Sequence, residues 1–121
     1  MDTTKTRTIT LTDRPPVRIR EADWPVIASA VGDSRTRPEE PDYETDDYAV
    51  RVRQHADGRT IVYSVVDGAT TWTGTESRRE GELLDAGADV AAAIRRVGEE
   101  AEIPDHLIRD CIADLPAVEL V

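Results

Sequence analysis

The sequence predicts an α+β fold, helices packed on an antiparallel sheet, and three observations carry that prediction. Residues 49–66 alternate apolar and polar side chains around an Asp-Gly pair, the period of a hairpin. From Asp89 onward the apolar residues recur at helical spacing instead. A chain of 121 residues with 39% hydrophobic and 33% charged side chains suits one core beneath a densely charged surface. A single domain over 1–121 is expected, with about four to five strands, a short N-terminal helix and two C-terminal helices.

Taken in order, Ile9 and Leu11 alternate with Thr8, Thr10 and Thr12 as in a half-buried strand, which Asp13-Arg14-Pro15-Pro16 breaks. Val17 and Ile19 resume the alternation as a second short strand or edge. Trp24, Ile27, Ala28 and Val31 stand at i, i+3, i+4 and i+7, with Asp23 placed as N-cap and Pro25 in the first turn, so a short amphipathic helix is expected here. From about 32 to 47 the apolar pattern vanishes, which reads as a mobile acidic loop.

The central hairpin follows. With Asp57-Gly58 as a two-residue type I′ turn, Ala56 pairs with Arg59. Val50 then faces Val65, Val52 faces Tyr63 and Gln54 faces Ile61, leaving Arg51, Arg53, His55, Thr60 and Ser64 on the other side. Thr71-Trp72-Thr73 has the composition of a further strand, and residues 77–87 read as a loop. Val90, Ala93, Ile94, Val97 and Ala101 form one helical stripe after Asp89, with Arg95/Glu99 and Arg96/Glu100 as outward i,i+4 pairs. Pro104 opens the last helix, buried along Leu107, Ile108, Cys111, Ile112 and Leu115 until Pro116 stops it.

Composition narrows the function classes. The net charge is −10, from 25 acids against 15 Lys plus Arg, and such a surface repels a phosphate backbone. General nucleic-acid binding is not expected. The longest apolar runs fall far short of a membrane span, and the polar start lacks a secretory signal, so the expected location is the cytoplasm. The lone Cys111 fits a reducing compartment.

The segments ITLTDRPPVRIREADWPVIASA (9–30), VRVRQHADGRTIVYSV (50–65), RREGELLDAGADVAAAIRR (78–96) and IPDHLIRDCIADLP (103–116) are similar to small uncharacterised proteins of proteobacterial mobile genetic elements. The resemblance spans most of the chain apart from the acidic stretch, and it implies a setting rather than an activity. Proteins in that setting commonly bind other proteins or nucleic acids, small acidic inhibitors of host defence among them.

No catalytic, metal or cofactor constellation emerges. His106 and Cys111 are five residues apart on one helix, about 140° around its axis, so they do not meet. Two histidines and one cysteine do not fall at zinc spacing. Asp42, Glu44 and Asp46 alternate like the start of a calcium loop, but Asp47 stands where the glycine belongs and Arg53 where the twelfth-position carboxylate belongs. The glycines match neither phosphate-binding pattern.

Two sites remain. Arg51, Arg53 and His55 lie at i, i+2 and i+4, a cation row that would hold an anion or, with His55 as general base, assist phosphodiester cleavage; the alternative is a solvated outer face. Glu39, Glu40, Asp42, Tyr43, Glu44, Asp46 and Asp47, with Tyr48, would present carboxylates to a basic protein groove as a nucleic-acid mimic; the alternative is a solubilising loop. Charge ranks the second first. Residues 33–48 hold seven acids and two arginines, and residues 82–121 hold ten acids and three arginines, so two regions concentrate the negative field. The expected function is non-catalytic binding of a basic partner.

Overall fold

The structure is a computed structural model and describes residues 5–35, 44–70 and 74–117. Among them the architecture is α+β with antiparallel sheets in three layers: a two-stranded ribbon, a four-stranded meander and a pair of helices. The ribbon is β1 (Thr6–Leu11) paired with β2 (Arg14–Arg20) through a tight turn at Thr12-Asp13. Pro15 and Pro16 therefore lie inside β2 rather than breaking the ribbon, as an unburdened edge strand allows.

The expected N-terminal helix is not formed. Glu21–Asp23 makes one 3-10 turn, and Val26–Arg35 is strand β3. A register shift between Val26 and Ala28 inserts one extra residue into the alternation, so the apolar spacing imitates a helical period. The residues that point to the helices are the small ones, Ala28, Ala30 and Gly32. A Cβ on Gly32 would stand 3.0 Å from both terminal carbons of Leu107, so this row lets the second helix approach closely.

Strand β4 (Glu44–Gln54) pairs with β3 on one side and with β5 (Thr60–Thr70) on the other; β6 (Gly74–Leu84) completes the order β3-β4-β5-β6. Strands thus occupy both ends of the stretch expected to be a loop, at residues 32–35 and 44–47. The hairpin is present, but one residue out of the expected register. Val50 opposes Ser64, Val52 opposes Val62 and Gln54 opposes Thr60. The turn has three residues instead of two: Gly58 N–H donates to His55 O at 2.9 Å, and His55 N–H to Arg59 O at 2.9 Å. Gly58, at φ +96°, supplies the left-handed position that ends such a turn.

That single step reassigns the side chains of β5. Even-numbered residues of β4 and β5 meet the helices, where Val50, Val52, Val62 and Val66 are buried, while Ile61 and Tyr63 turn to the ribbon and join Ile9, Leu11, Ile19 and Trp24. Both faces of the sheet are packed. The stretch expected as a loop at 77–87 is largely β6, whose polar side chains hide its strand character, and Thr71-Trp72-Thr73 lie outside the described residues. Glu82 and Arg78 reach over to Arg96 and Glu102 at 3.0 and 3.1 Å, so a charged strand docks under the helical layer through ion pairs. Gly81 accepts from Thr12 N–H at 2.9 Å and donates to Thr12 Oγ1 at 3.1 Å, and its bare Cα admits the carbonyl of Thr10.

The two C-terminal helices form as expected. Helix α1 (Val90–Glu100) is capped by Asp89, whose Oδ1 accepts from Ala92 N–H at 3.1 Å, and Arg95 pairs with Glu99 at 3.7 Å. Arg96 pairs with Glu82 rather than with Glu100. Helix α2 (Asp105–Ala113) starts after Pro104 and buries Leu107, Ile108 and Cys111. No helix of the described residues is long and apolar enough to cross a membrane.

Candidate functional site

Arg51, Arg53 and His55 do not make an exposed cation row. Arg53 points to the ribbon side and is buried, with Nε donating to Tyr63 Oη at 2.9 Å and Nη1 to the Trp24 carbonyl at 3.0 Å. Its Nη2 stands 3.9 Å from Glu21, whose carboxylate takes a 2.8 Å bond from Arg7 Nε. Arg7, by that bond and its charge, with Arg53 and Lys5 behind it, holds Glu21 below its ordinary range. This guanidinium ties the ribbon to the sheet. Arg51 is half-buried one row away.

His55 belongs to the turn: its Nδ1 accepts from Asp57 N–H at 3.1 Å, and its ring lies 5.1 Å from that of Trp24. Arg59 covers Trp24 at 5.2 Å while bonding Asp57 at 2.8 Å. Cys111 is buried beside the Val50 carbonyl at 3.9 Å, and burial, then the charge of Asp114, pushes its thiol up to about 11. His106 is exposed and does not face it.

The acids gather elsewhere. Glu39, Glu40, Asp42 and Tyr43 lie outside the described residues, and Glu44 opens β4 opposite Thr70. Asp46 and Asp47 are consecutive in β4 and so point to opposite faces. Asp46 is on the helix side, half-buried, accepting from Tyr48 Oη at 3.3 Å. Asp47 is exposed on the ribbon side, opposite Asp33 of β3 and opposite Asp67 of β5. Three acidic residues on three neighbouring strands therefore share one row, their backbones about 5 Å apart. Asp33 belongs to the acidic 33–48 stretch but is not one of the candidate site residues, and Asp67 is in neither. Each is an isolated acid in the sequence, and only the register aligns them.

Comparison of the chain with family models, with curated proteins and with solved structures found no match. The reading of the site therefore rests on its geometry. The row beneath the acids is Val31, Ala49, Val65 and Arg79, and Val31 is 63% exposed. Asp114, the residue after α2, reaches the same strand β3 from the other face, where its Oδ2 accepts from Ser29 N–H at 2.9 Å. One acid of the C-terminal region is thereby tied to β3, the strand that carries Asp33, across a sequence separation of 85 residues from Ser29 to Asp114. Among the described residues no group of three or more His, Cys, Asp or Glu side chains is arranged to hold a metal ion. A groove of about 600 Å³ between the Thr12 turn, β6 and α1 lies apart from the row, and its Arg96 and Glu82 neutralise each other.

Proposed function

We propose that this protein is a non-catalytic binding module that engages a basic surface of another protein through the acids at the β3–β4–β5 end of its sheet. The observation that carries this reading is the carboxylate row Asp33–Asp47–Asp67 beside exposed Val31. The row concentrates negative charge at this end of the sheet, and the apolar neighbour supplies contact that excludes water when a basic partner docks. Such charge chiefly accelerates encounter and selects the sign of the partner. A protein groove that itself handles nucleic acid has the matching chemistry, and the row would act there as a phosphate mimic.

The arginine alternative loses support from the same geometry, since Arg53 is engaged within the fold. The test is affinity capture from the native host, followed by association kinetics at several salt concentrations for the wild type and for the triple variant Asp33→Asn, Asp47→Asn, Asp67→Asn. Slower association with a flatter salt dependence in the folded variant is the expected result. A captured partner whose association is unchanged by the triple variant defeats the proposal.

A further inference from the structure

Within the reading of an acidic binding surface, we infer that β3 is a strand-addition site: an extended basic segment of the partner lies along the outer edge of β3, pairing with Val31 between the acids of the two faces. The argument begins with the sheet's two edges. At the β6 edge, Thr12 of the ribbon occupies both backbone groups of Gly81. At the β3 edge, the covering contact is the carboxylate of Asp114 on the Ser29 amide. Because Ser29 N–H is directed away from β4, the peptide groups two residues on are directed the same way, so Val31 presents its N–H and C=O along the outer edge. Among the described residues no strand pairs with β3 on that side.

The exposed large hydrophobic residues of the described chain, Val31 and Val26 at 63% and 43%, both lie on this strand. An edge bearing exposed valines is what soluble proteins usually blunt with lysine, proline, a bulge or a covering loop, and here the bulge sits at Val26–Ala28, short of Val31. On the ribbon face the flanking side chains are acidic toward Asp33 and Asp47 and cationic at Arg51, opposite Ser29, within a chain of net charge −10. Asp33 stands two residues from Val31 on the ribbon side, and Asp114 closes the edge at Ser29 from the helix side. Two copies of a chain of charge −10 bring like charges together along that line, whereas an extended segment with cationic side chains on both faces meets opposite charge on each. Backbone pairing then supplies affinity and the flanking acids supply selection.

The test uses the full chain and a defined probe: a blocked, fluorescent nonapeptide with a central valine and lysines on both faces of the extended chain. Its control is the same peptide N-methylated at alternate backbone nitrogens, which keeps the charge and removes the strand-pairing donors. Expected are binding at low salt, amide shifts centred on Val31 and Asp33 in NMR, and a loss of about ten-fold or more for the methylated peptide. Val31→Pro, which deletes the outward N–H, is expected to reproduce that loss, whereas Val31→Ala, which removes the exposed side chain and keeps the N–H, is expected to lose less. Should the proline variant not fold, the methylated peptide on wild-type protein decides alone.

Equal binding of both peptides, weakened by the triple Asp→Asn variant, overturns strand addition and leaves the acidic-surface reading standing. No binding of either peptide at about 20 mM salt overturns both. A dimer that Val31→Pro converts to monomer assigns the edge to a second copy. Peptide binding gained only by a chain ending at Ala117 assigns it to residues 118–121. Either of these last results overturns the inference.

Discussion

Arg53 shows how far a residue's role departs from its place in a pattern. Its guanidinium satisfies the Tyr63 hydroxyl and the Trp24 carbonyl inside the layer between ribbon and sheet. Arg53→Met is expected to lose about 2–4 kcal/mol in urea unfolding, because two polar groups are left without partners in a dry site. Adding Tyr63→Phe to that variant is expected to recover part of the loss, and strict additivity of the two changes counts against the pairing. Glu21, held below 4.5 by Arg7, supplies a pH test. Its folded pKa is depressed, so the stability it contributes is present above pH 4.5 and is lost as pH falls through the folded value. Glu21→Gln should soften the acid decline of the urea midpoint between about pH 6 and about pH 3, and identical slopes refute the linkage. Cys111, pushed up to about 11 in a buried site, should resist thiol reagents at about pH 8 in the native protein and react on unfolding.

Among the elements, the helix pair and the ribbon depend on bare Cα atoms at close approaches. A Cβ on Gly98 of α1 would stand 2.5 Å from Cγ1 and 2.7 Å from Cδ1 of Ile108, a side chain fully buried in α2. Gly98→Ala gains about 1 kcal/mol of helix propensity, and the overpacking costs about 1–3 kcal/mol. A net fall in thermal midpoint is therefore expected, with Gly98→Ala/Ile108→Val restoring much of it. A raised midpoint for Gly98→Ala alone shows that α2 shifts at no cost. The hairpin carries a comparable lesson, since one extra turn residue at Gly58 exchanges the faces of Ile61 and Val62.

For the molecule as a whole, charge sets behaviour more than any single ion pair. The paired arginines and acids are mostly exposed, as with Arg109 and Asp105 or Arg78 and Glu102, and pairs of that kind add little. A chain of net charge −10 repels itself. Raising sodium chloride from about 10 mM to about 0.5 M should therefore raise the urea midpoint, and a lowered midpoint would show that attractive pairs dominate. The same screening should slow association with a basic partner, so stability and encounter respond to salt in opposite directions.

Much of this was legible in the residues alone. The α+β class, the existence of the 49–66 hairpin and both C-terminal helices follow from local periodicity, because the apolar stripes of α1 and α2 and the alternation of β4 are written within single elements. Asp89 as a cap and Pro104 as a start are likewise local chemistry. Other features depend on contacts made between elements. β3 is a strand because β4 pairs with it and Leu107 needs its small residues, while β6 is a strand because β5 pairs with it and Arg96 and Glu102 accept its charges. The register of the hairpin turned on the conformation of one glycine. The candidate site is of this second kind: Asp33, Asp47 and Asp67 come from three separate strands, and Asp114 meets the same strand β3 at Ser29. Sequence spacing determined the elements and the sign of the charge, and the pairing of strands decided where that charge collects, since cross-strand neighbours are set by register and not by distance along the chain.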